Sequence, residues 1–345
     1  MKAMRPDIRA HEWSDRDLQV MRELSRQTNH RDARFINRLI DDFIIVDHQG
    51  QHRYLIFEEP VEMSLRAFES CFPNRQLPED TLGTITRQLL RAVRFAHGRN
   101  VVLNFSPDNV FIKTMQPIKT RARIRDLARY VCGGVEKTCP GQDLWDSAGN
   151  LRFEIRLWNL EAAHQAGTPL RTSLQATAIY PPELRIGIPV ENGQSDDPPP
   201  IVDKPADIWN LAPFIFQLVT KQPLLLGRRA CTFAHTDDEE ANMECLAEMM
   251  ALLGPIPERM RGDIWDKIYV RLDEETSKFD EPITPPSRRS LNDIFDALNH
   301  PELPVSLRPN MNLFKDFIRC MFCMDPQQRC TINELLSHRL LQGLH

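Results

Sequence analysis

Glycine is scarce in this sequence. The chain has 14 Gly among 345 residues, where an average composition would give about 24. The first is Gly50. A glycine-rich loop that wraps a phosphate needs a backbone free of side chains near that phosphate. The residues before Gly50 therefore contain no such loop.

Long apolar runs are also missing. No run reaches the roughly 18 residues of a membrane-spanning helix, and the polar residues 1–17 lack the apolar core of a signal peptide. The 8 Cys follow no disulfide-framework spacing. We therefore expect reduced thiols, no membrane span, and a location in the cytoplasm or nucleus.

A strong positive charge is absent as well. Lys and Arg number 43 against 48 Asp and Glu, which gives a net charge of −5. This balance argues against binding to bulk nucleic acid, which favours a positive surface. With 41% hydrophobic and 26% charged residues, the chain can bury a core. Its length fits one large or two fused units.

Apolar periodicity predicts a short β-containing start and a long helical body. Residues 14–26 match a helix, and residues 35–58 match strands, the first at Phe35-Ile36, with a turn at 47–50. The other predicted elements are a helix at 79–97, two short strands around a loop within 101–112, a strand at 153–158, and helices at 205–220, 238–253, 310–323 and 331–341. Insertions are expected at about 114–150 and at the Pro-rich residues 189–205.

Short motifs follow one another in a recognisable order. They are Ser106-Pro107-Asp108-Asn109, Tyr180-Pro181-Pro182-Glu183, Ala206-Asp207-Ile208-Trp209, the segment Leu252 to Pro257, and Asp325-Pro326 with Arg329. The series resembles the eukaryotic protein kinases, and most closely the SR-protein kinases. In that family five segments correspond to these motifs in the same order. They are the end of the H-R-D-L-K-P-E-N catalytic loop, the A-P-E segment, the start of a large-lobe helix, a segment typical of SR-protein kinases, and the D-P-x-x-R motif.

The resemblance implies an α+β, bilobal protein-kinase-like fold. Residues 1–60 would form a truncated β-rich N-lobe without a glycine-rich loop, and residues 61–345 a large, mostly helical C-lobe. ATP and Mg²⁺ are the cofactors that the family implies. The implied partner is a protein or peptide, with Arg/Ser-rich segments as the family's substrate class.

The catalytic loop departs from the family pattern. Asn104 stands at the position of the catalytic Asp, and its amide is neutral and lacks useful basicity. Ser106 replaces the Lys that neutralises charge on the transferred phosphoryl group. Asn109 is retained at a Mg²⁺-ligand position. An alternative interpretation is that Asn104 and Asn109 only cap a turn, a frequent role of Asn.

The metal and nucleotide segments depart too. Asn159 stands at the position of the Mg²⁺-binding Asp of D-F-G, or is an ordinary loop residue. Lys2 takes the position of the phosphate-binding Lys, with Asp17 in place of its Glu partner. Glu58 and Pro60 fall in the hinge, where Pro60 has no N–H to offer adenine. These departures count against ATP and Mg²⁺ binding.

Framework positions are retained. Glu183 and Arg329 match the ion pair that staples the large lobe of kinases, and Asp207 matches a residue that supports the catalytic loop. Cys320 and Cys323 have metal-ligand spacing, but no second Cys/His pair follows them. We therefore interpret these two thiols as core residues.

Two functions remain open. The retained framework and the altered chemical positions favour a pseudokinase that acts through binding. The alternative is an active ATP-dependent serine/threonine protein kinase.

Overall fold

The computed structural model describes most of the chain, with gaps. The described residues are 2–3, 18–26, 29–48, 50–58, 63–70, 72–114, 153–158, 160–169, 180–186, 200–225, 239–260, 289–298 and 308–343. They form a mixed α+β structure of helices and small sheets. Two compact units are present, residues 1–165 with 341–345 and residues 166–340. The predicted lobe boundary near residue 60 falls inside the first unit and stays a prediction.

Small antiparallel sheets organise the first unit. Strands β1 (Lys2–Ala3), β2 (Leu39–Asp47) and β3 (Gly50–Phe57) form one sheet in the order β1-β3-β2. Strands β4 (Met63–Ser64), β6 (Val110–Thr114) and β7 (Phe153–Leu157) form a second, in the order β4-β6-β7. Strand β5 (Val101–Val102) pairs with β8 (His164–Gln165). The hairpin register closes with Asp47 opposite Gly50, which confirms the predicted turn.

Among the residues described in this unit, the helices beside these sheets are α1 (residues 18–25), α2 (Leu65–Glu69) and α3 (Glu79–Gly98). The apolar stripe of α3 is fully buried, as its helical spacing predicted. The Gln88 side chain joins α3 to β7, since its amide donates to the carbonyl of Phe153 at 3.2 Å and accepts from the N–H of Ile155 at 2.7 Å.

The strand predicted at Phe35-Ile36 is reduced to a single β-bridge between Ile36 and Leu157, and Phe35 is helical. Residues Arg31–Phe35 form a 3-10 helix whose start is capped by His30, whose side chain accepts a hydrogen bond from the N–H of Asp32. The buried Asp32 carboxylate is paired with Arg94 of α3. This long-range ion pair, together with the burial of Phe35, favours a helical turn over the local preference for a strand.

Helices dominate after residue 166. The elements are β9 (Thr168–Pro169), α4 (Pro182–Ile186), β10 (Ile201–Val202), α5 (Pro205–Thr220), α6 (Glu239–Leu253), α7 (Leu291–Ala297), α8 (Met311–Met321), α9 (Ile332–Leu336) and α10 (Arg339–Gly343). Aromatic rings fill the core of the second unit: Trp209 stacks on Phe322 at 4.2 Å between ring centroids, and Phe216 on Phe314 at 6.2 Å.

The single helix predicted at 331–341 is wrong. Helix α9 begins with the capping box of Thr331 and Glu334, but it ends at Ser337. The next residue, His338, then accepts a hydrogen bond from the N–H of Leu340 and caps α10. Most of the two predicted insertions lies outside the described residues. None of the helices in the described ranges is long and apolar enough to cross a membrane.

Candidate functional site

Three segments meet in the first unit. They are the end of β3, the loop between β5 and β6, and the end of β7. The β6–β7 ladder pairs Val110 with Leu157, and the N–H of Trp158 donates to the carbonyl of Asn109 at 2.9 Å. The rings of Phe57 and Trp158 pack with their centroids 4.5 Å apart. The fold thus brings together the entry to the predicted hinge, the predicted catalytic segment and the strand that precedes Asn159.

Asn104 lies in a buried stretch of this loop and has a backbone φ of +43°. This left-handed region is unfavourable for most residues and is tolerated best by Gly, Asn and Asp. The backbone therefore supplies a reason for Asn that is independent of any catalytic role. It agrees with the turn interpretation of this residue.

Ser106 and Asn109 form a capping box around the 3-10 turn Pro107–Asn109. The Ser106 hydroxyl accepts from the N–H of Asp108 at 3.2 Å, and the Asn109 side-chain oxygen accepts from the N–H of Ser106 at 2.7 Å. Both side chains are buried. Each side chain therefore has a structural function in this turn.

The donor atoms of this loop do not fit a Mg²⁺ ion. Magnesium prefers anionic oxygen, and the one carboxylate between residues 101 and 110 belongs to Asp108. That side chain is half exposed and forms an ion pair with Arg66 at 2.8 Å. The oxygen of Asn109 is neutral and already accepts the backbone hydrogen bond. The pair of Arg66 and Asp108 was not identified from the sequence, because the two residues are far apart in the chain.

The predicted nucleotide residues are only partly described. Asp17, Pro60 and Asn159 lie outside the described residues, and of Lys2 the strand pairing opposite Leu55 is known. Glu58 is exposed, and its N–H donates to the carbonyl of Arg38 at 2.9 Å. The two side chains form a loose ion pair at 3.4 Å. The carboxylate of Glu58 is therefore engaged locally.

Glu183 and Arg329 lie together in the second unit. Their side chains make two parallel hydrogen bonds of 2.6 Å, in the fork geometry that suits guanidinium and carboxylate. The Arg329 side chain is 0% exposed. It also donates to the carbonyls of Cys323 and Pro205, each at 2.9 Å, and lies 5.0 Å from the Trp209 ring centroid. This network links α4, the start of α5 and the loop after α8.

Two buried acids lie in the same unit. Asp207 is completely buried in the first turn of α5. Asp325 is buried beside Arg259, with which it forms an ion pair. Burial alone would raise the pKa of Asp325, but hydrogen bonds from Arg259 and the N–H of Gln327, with the charge of Arg329, hold the pKa below its ordinary value.

A cavity of about 430 Å³ lies in the second unit. Residues of the Leu252 to Pro257 segment line it, together with residues of α7 and of the loop after α8. Its volume falls within the range of small-molecule pockets.

Two proteins named serine/threonine protein kinase, from two strains of Aspergillus fumigatus, match this chain. Each is 26% identical over 339 residues, which is 97% of this chain and 76% of the relative. The chain is similar to serine/threonine protein kinases. No family model matches it. The relatives support the kinase-like fold and the kinase-like function that the motifs implied.

Proposed function

We propose that this protein is a pseudokinase of the SR-protein-kinase type. It has a kinase-like fold, binds a protein or peptide partner, and transfers little or no phosphate. The observation that carries the proposal is the capping box of Ser106 and Asn109. By the resemblance, Ser106 and Asn109 stand at two positions that a kinase uses for catalysis. Here their side chains hydrogen-bond the local backbone instead.

The charges of the loop support the same conclusion. Phosphoryl transfer depends on positioning and on charge stabilisation around the phosphate. Asn104 is neutral, Ser106 adds no positive charge, and Asn109 offers one neutral oxygen that accepts a backbone hydrogen bond. A loop with these side chains stabilises the transition state poorly.

The contact between Phe57 and Trp158 adds a second argument. By the resemblance, Phe57 stands at the gatekeeper position that borders the nucleotide base. Its ring and that of Trp158 are in contact, with centroids 4.5 Å apart and planes inclined by 43°. We therefore expect this ring pair to disfavour adenine binding.

The proposed partner is a cationic, Arg/Ser-rich protein segment. A net charge of −5 favours the approach of such a partner over that of nucleic acid or an anionic membrane. We place this binding activity in the cytoplasm or nucleus, as expected from the reduced thiols. A labelled Arg/Ser-repeat peptide should bind without being phosphorylated, and a repeat peptide with Gln in place of Arg is the matched control.

A thermal-shift titration with ATP tests the nucleotide part of the proposal. A ligand that binds only the folded state adds RT ln(1 + [L]/Kd), about 2.7 kcal/mol at 100 Kd. We expect the Tm measured with micromolar ATP and Mg²⁺ to equal, within error, the Tm measured with the same ATP and a chelator. A large Mg²⁺-dependent rise in Tm would contradict the proposal.

The second candidate is an active serine/threonine protein kinase, which the names of the two relatives favour. Incorporation of labelled phosphate into an Arg/Ser-repeat peptide and a generic basic protein separates the candidates. Robust transfer by the unmodified chain would replace the pseudokinase proposal with this one.

A further inference from the structure

A cluster of metal-ligating side chains lies on α8 and between α9 and α10. Asp316 and Cys320 are four residues apart on α8 and therefore share one face of the helix. His338 follows α9. One ligand atom from each of the three residues lies within 4.8 Å of the other two. The Nε2 atom of His338 is 3.2 Å from Oδ2 of Asp316.

The three donors differ in chemistry, which narrows the class of ligand. A carboxylate oxygen, a thiolate sulfur and an imidazole nitrogen together suit Zn²⁺ and similar borderline-soft ions. Mg²⁺ and Ca²⁺ prefer oxygen alone. Three protein ligands leave one position of a tetrahedral site for water. We infer that Asp316, Cys320 and His338 form a binding site for a divalent transition metal ion, with Zn²⁺ as the preferred ion.

The surroundings of the cluster favour a cation. The carboxylates of Asp316 and Glu334 bring negative charge close to the Cys320 thiol, which is hydrogen-bonded to the Cys330 side chain. A bound divalent ion offsets these charges and deprotonates a coordinating thiol. The distances between the donors carry the inference, and the electrostatics agree with it.

The fold already holds the ligands in place. The N–H of Cys330 donates to the carbonyl of Cys320 at 2.9 Å, and the His338 ring packs against Phe317 with centroids 5.1 Å apart. The Asp316 side chain is 66% exposed, which provides a path for the ion to enter.

Binding requires one rearrangement. The Nδ1 atom of His338 accepts a hydrogen bond from the N–H of Leu340 at 3.2 Å. Coordination through Nε2 places the ring proton on Nδ1, because a neutral imidazole has one donor and one acceptor nitrogen. This hydrogen bond is then lost. The loss costs a modest free energy, which the three bonds to the metal ion offset.

The full chain, treated with chelator and kept reduced by a phosphine, is titrated with Co²⁺ and with Zn²⁺. We expect one Co²⁺ per chain with a sulfur-to-cobalt charge-transfer band, and displacement of the Co²⁺ by Zn²⁺. Cys320→Ser should remove the band, and His338→Ala should weaken binding by more than about 100-fold.

Cys323→Ser is the matched control, since this thiol lies in the same region but outside the cluster, and it should bind like the unmodified chain. Asp316→Ala replaces an exposed side chain, so it tests the metal site with little effect on stability. Circular dichroism of each variant checks that the fold is retained. Failure of the unmodified chain to bind Co²⁺ would overturn the inference. Retention of the charge-transfer band in Cys320→Ser would overturn it as well.

Discussion

Replacement of Glu183 by Ala should destabilise the protein strongly. Arg329 is 0% exposed, and its two hydrogen bonds to Glu183 are both 2.6 Å long. Removal of the carboxylate leaves a buried guanidinium without its anionic partner. Such a change costs about 3–5 kcal/mol, because a buried charge is far from compensating water.

The structure places the expected loss near the lower limit of that range. The carbonyls of Cys323 and Pro205 still accept hydrogen bonds from Arg329, and the Trp209 ring still contacts the guanidinium. Asp325 adds a nearby negative charge, since Arg329 is one of the groups that lower its pKa. We therefore expect about 3 kcal/mol, or a fall in Tm of about 6–12 °C if a unit of 150–250 residues unfolds cooperatively.

Differential scanning calorimetry of Glu183→Ala measures this fall. Glu58→Ala is the matched control, because its ion pair with Arg38 is 3.4 Å long and both side chains are about 35–46% exposed. An exposed pair contributes about 0–1 kcal/mol. Small, equal shifts in the two variants would show that the network around Arg329 does not stabilise the fold.

Three further predictions concern the catalytic loop and Asp325. Asn104→Asp should leave phosphate transfer to an Arg/Ser-repeat peptide undetectable, because Ser106 and Asn159 remain unchanged. Residues that act together in catalysis have non-additive effects, so restoring one of them recovers little activity. Clear transfer by this variant would contradict the prediction. Ser106→Ala should lower the free energy of unfolding in urea by about 0.5–2 kcal/mol through loss of the cap, and Ser106→Lys should show at least that loss; unchanged stability would refute the structural function. The pKa of Asp325 is lowered in the folded state, so its stabilisation is present above about pH 4 and is lost as the pH falls through the folded pKa. Asp325→Asn should therefore reduce the loss of stability in urea titrations below pH 4, and an unchanged pH dependence would contradict the role of its ion pair.

Local patterns in the sequence predicted much of the helical part. The stripe of α3 and the capping box at Thr331 depend on residues three or four apart, so the sequence shows them directly. At Pro107–Asn109 the sequence offered only the interpretation that Asn104 and Asn109 cap a turn, and the capping box of Ser106 and Asn109 came from the structure. The strand expected at Phe35-Ile36 was reduced to one bridge at Ile36, because the pair of Asp32 and Arg94, which favours the helical turn before it, joins residues distant in the chain.

The candidate sites differ in the same way. The resemblance pointed to the catalytic loop through a contiguous motif, whereas Cys320 and Cys323, with no second Cys/His pair after them, were interpreted as core residues. The structure instead places Cys320 beside Asp316 and His338. The turn at Ser337 makes this possible, because it ends α9 and directs His338 back to α8.

The amino-acid sequence by itself determined the periodic helices, the absence of glycine before Gly50 and the neutral side chains of Asn104, Ser106 and Asn109. These properties depend on residue type and on spacing within a few residues. The tertiary structure alone decided which side chains share hydrogen bonds across long stretches of chain, as Glu183 and Arg329 do over 146 residues. Such contacts depend on how the elements pack, because burial converts a distant pair of charges into a strong, specific interaction.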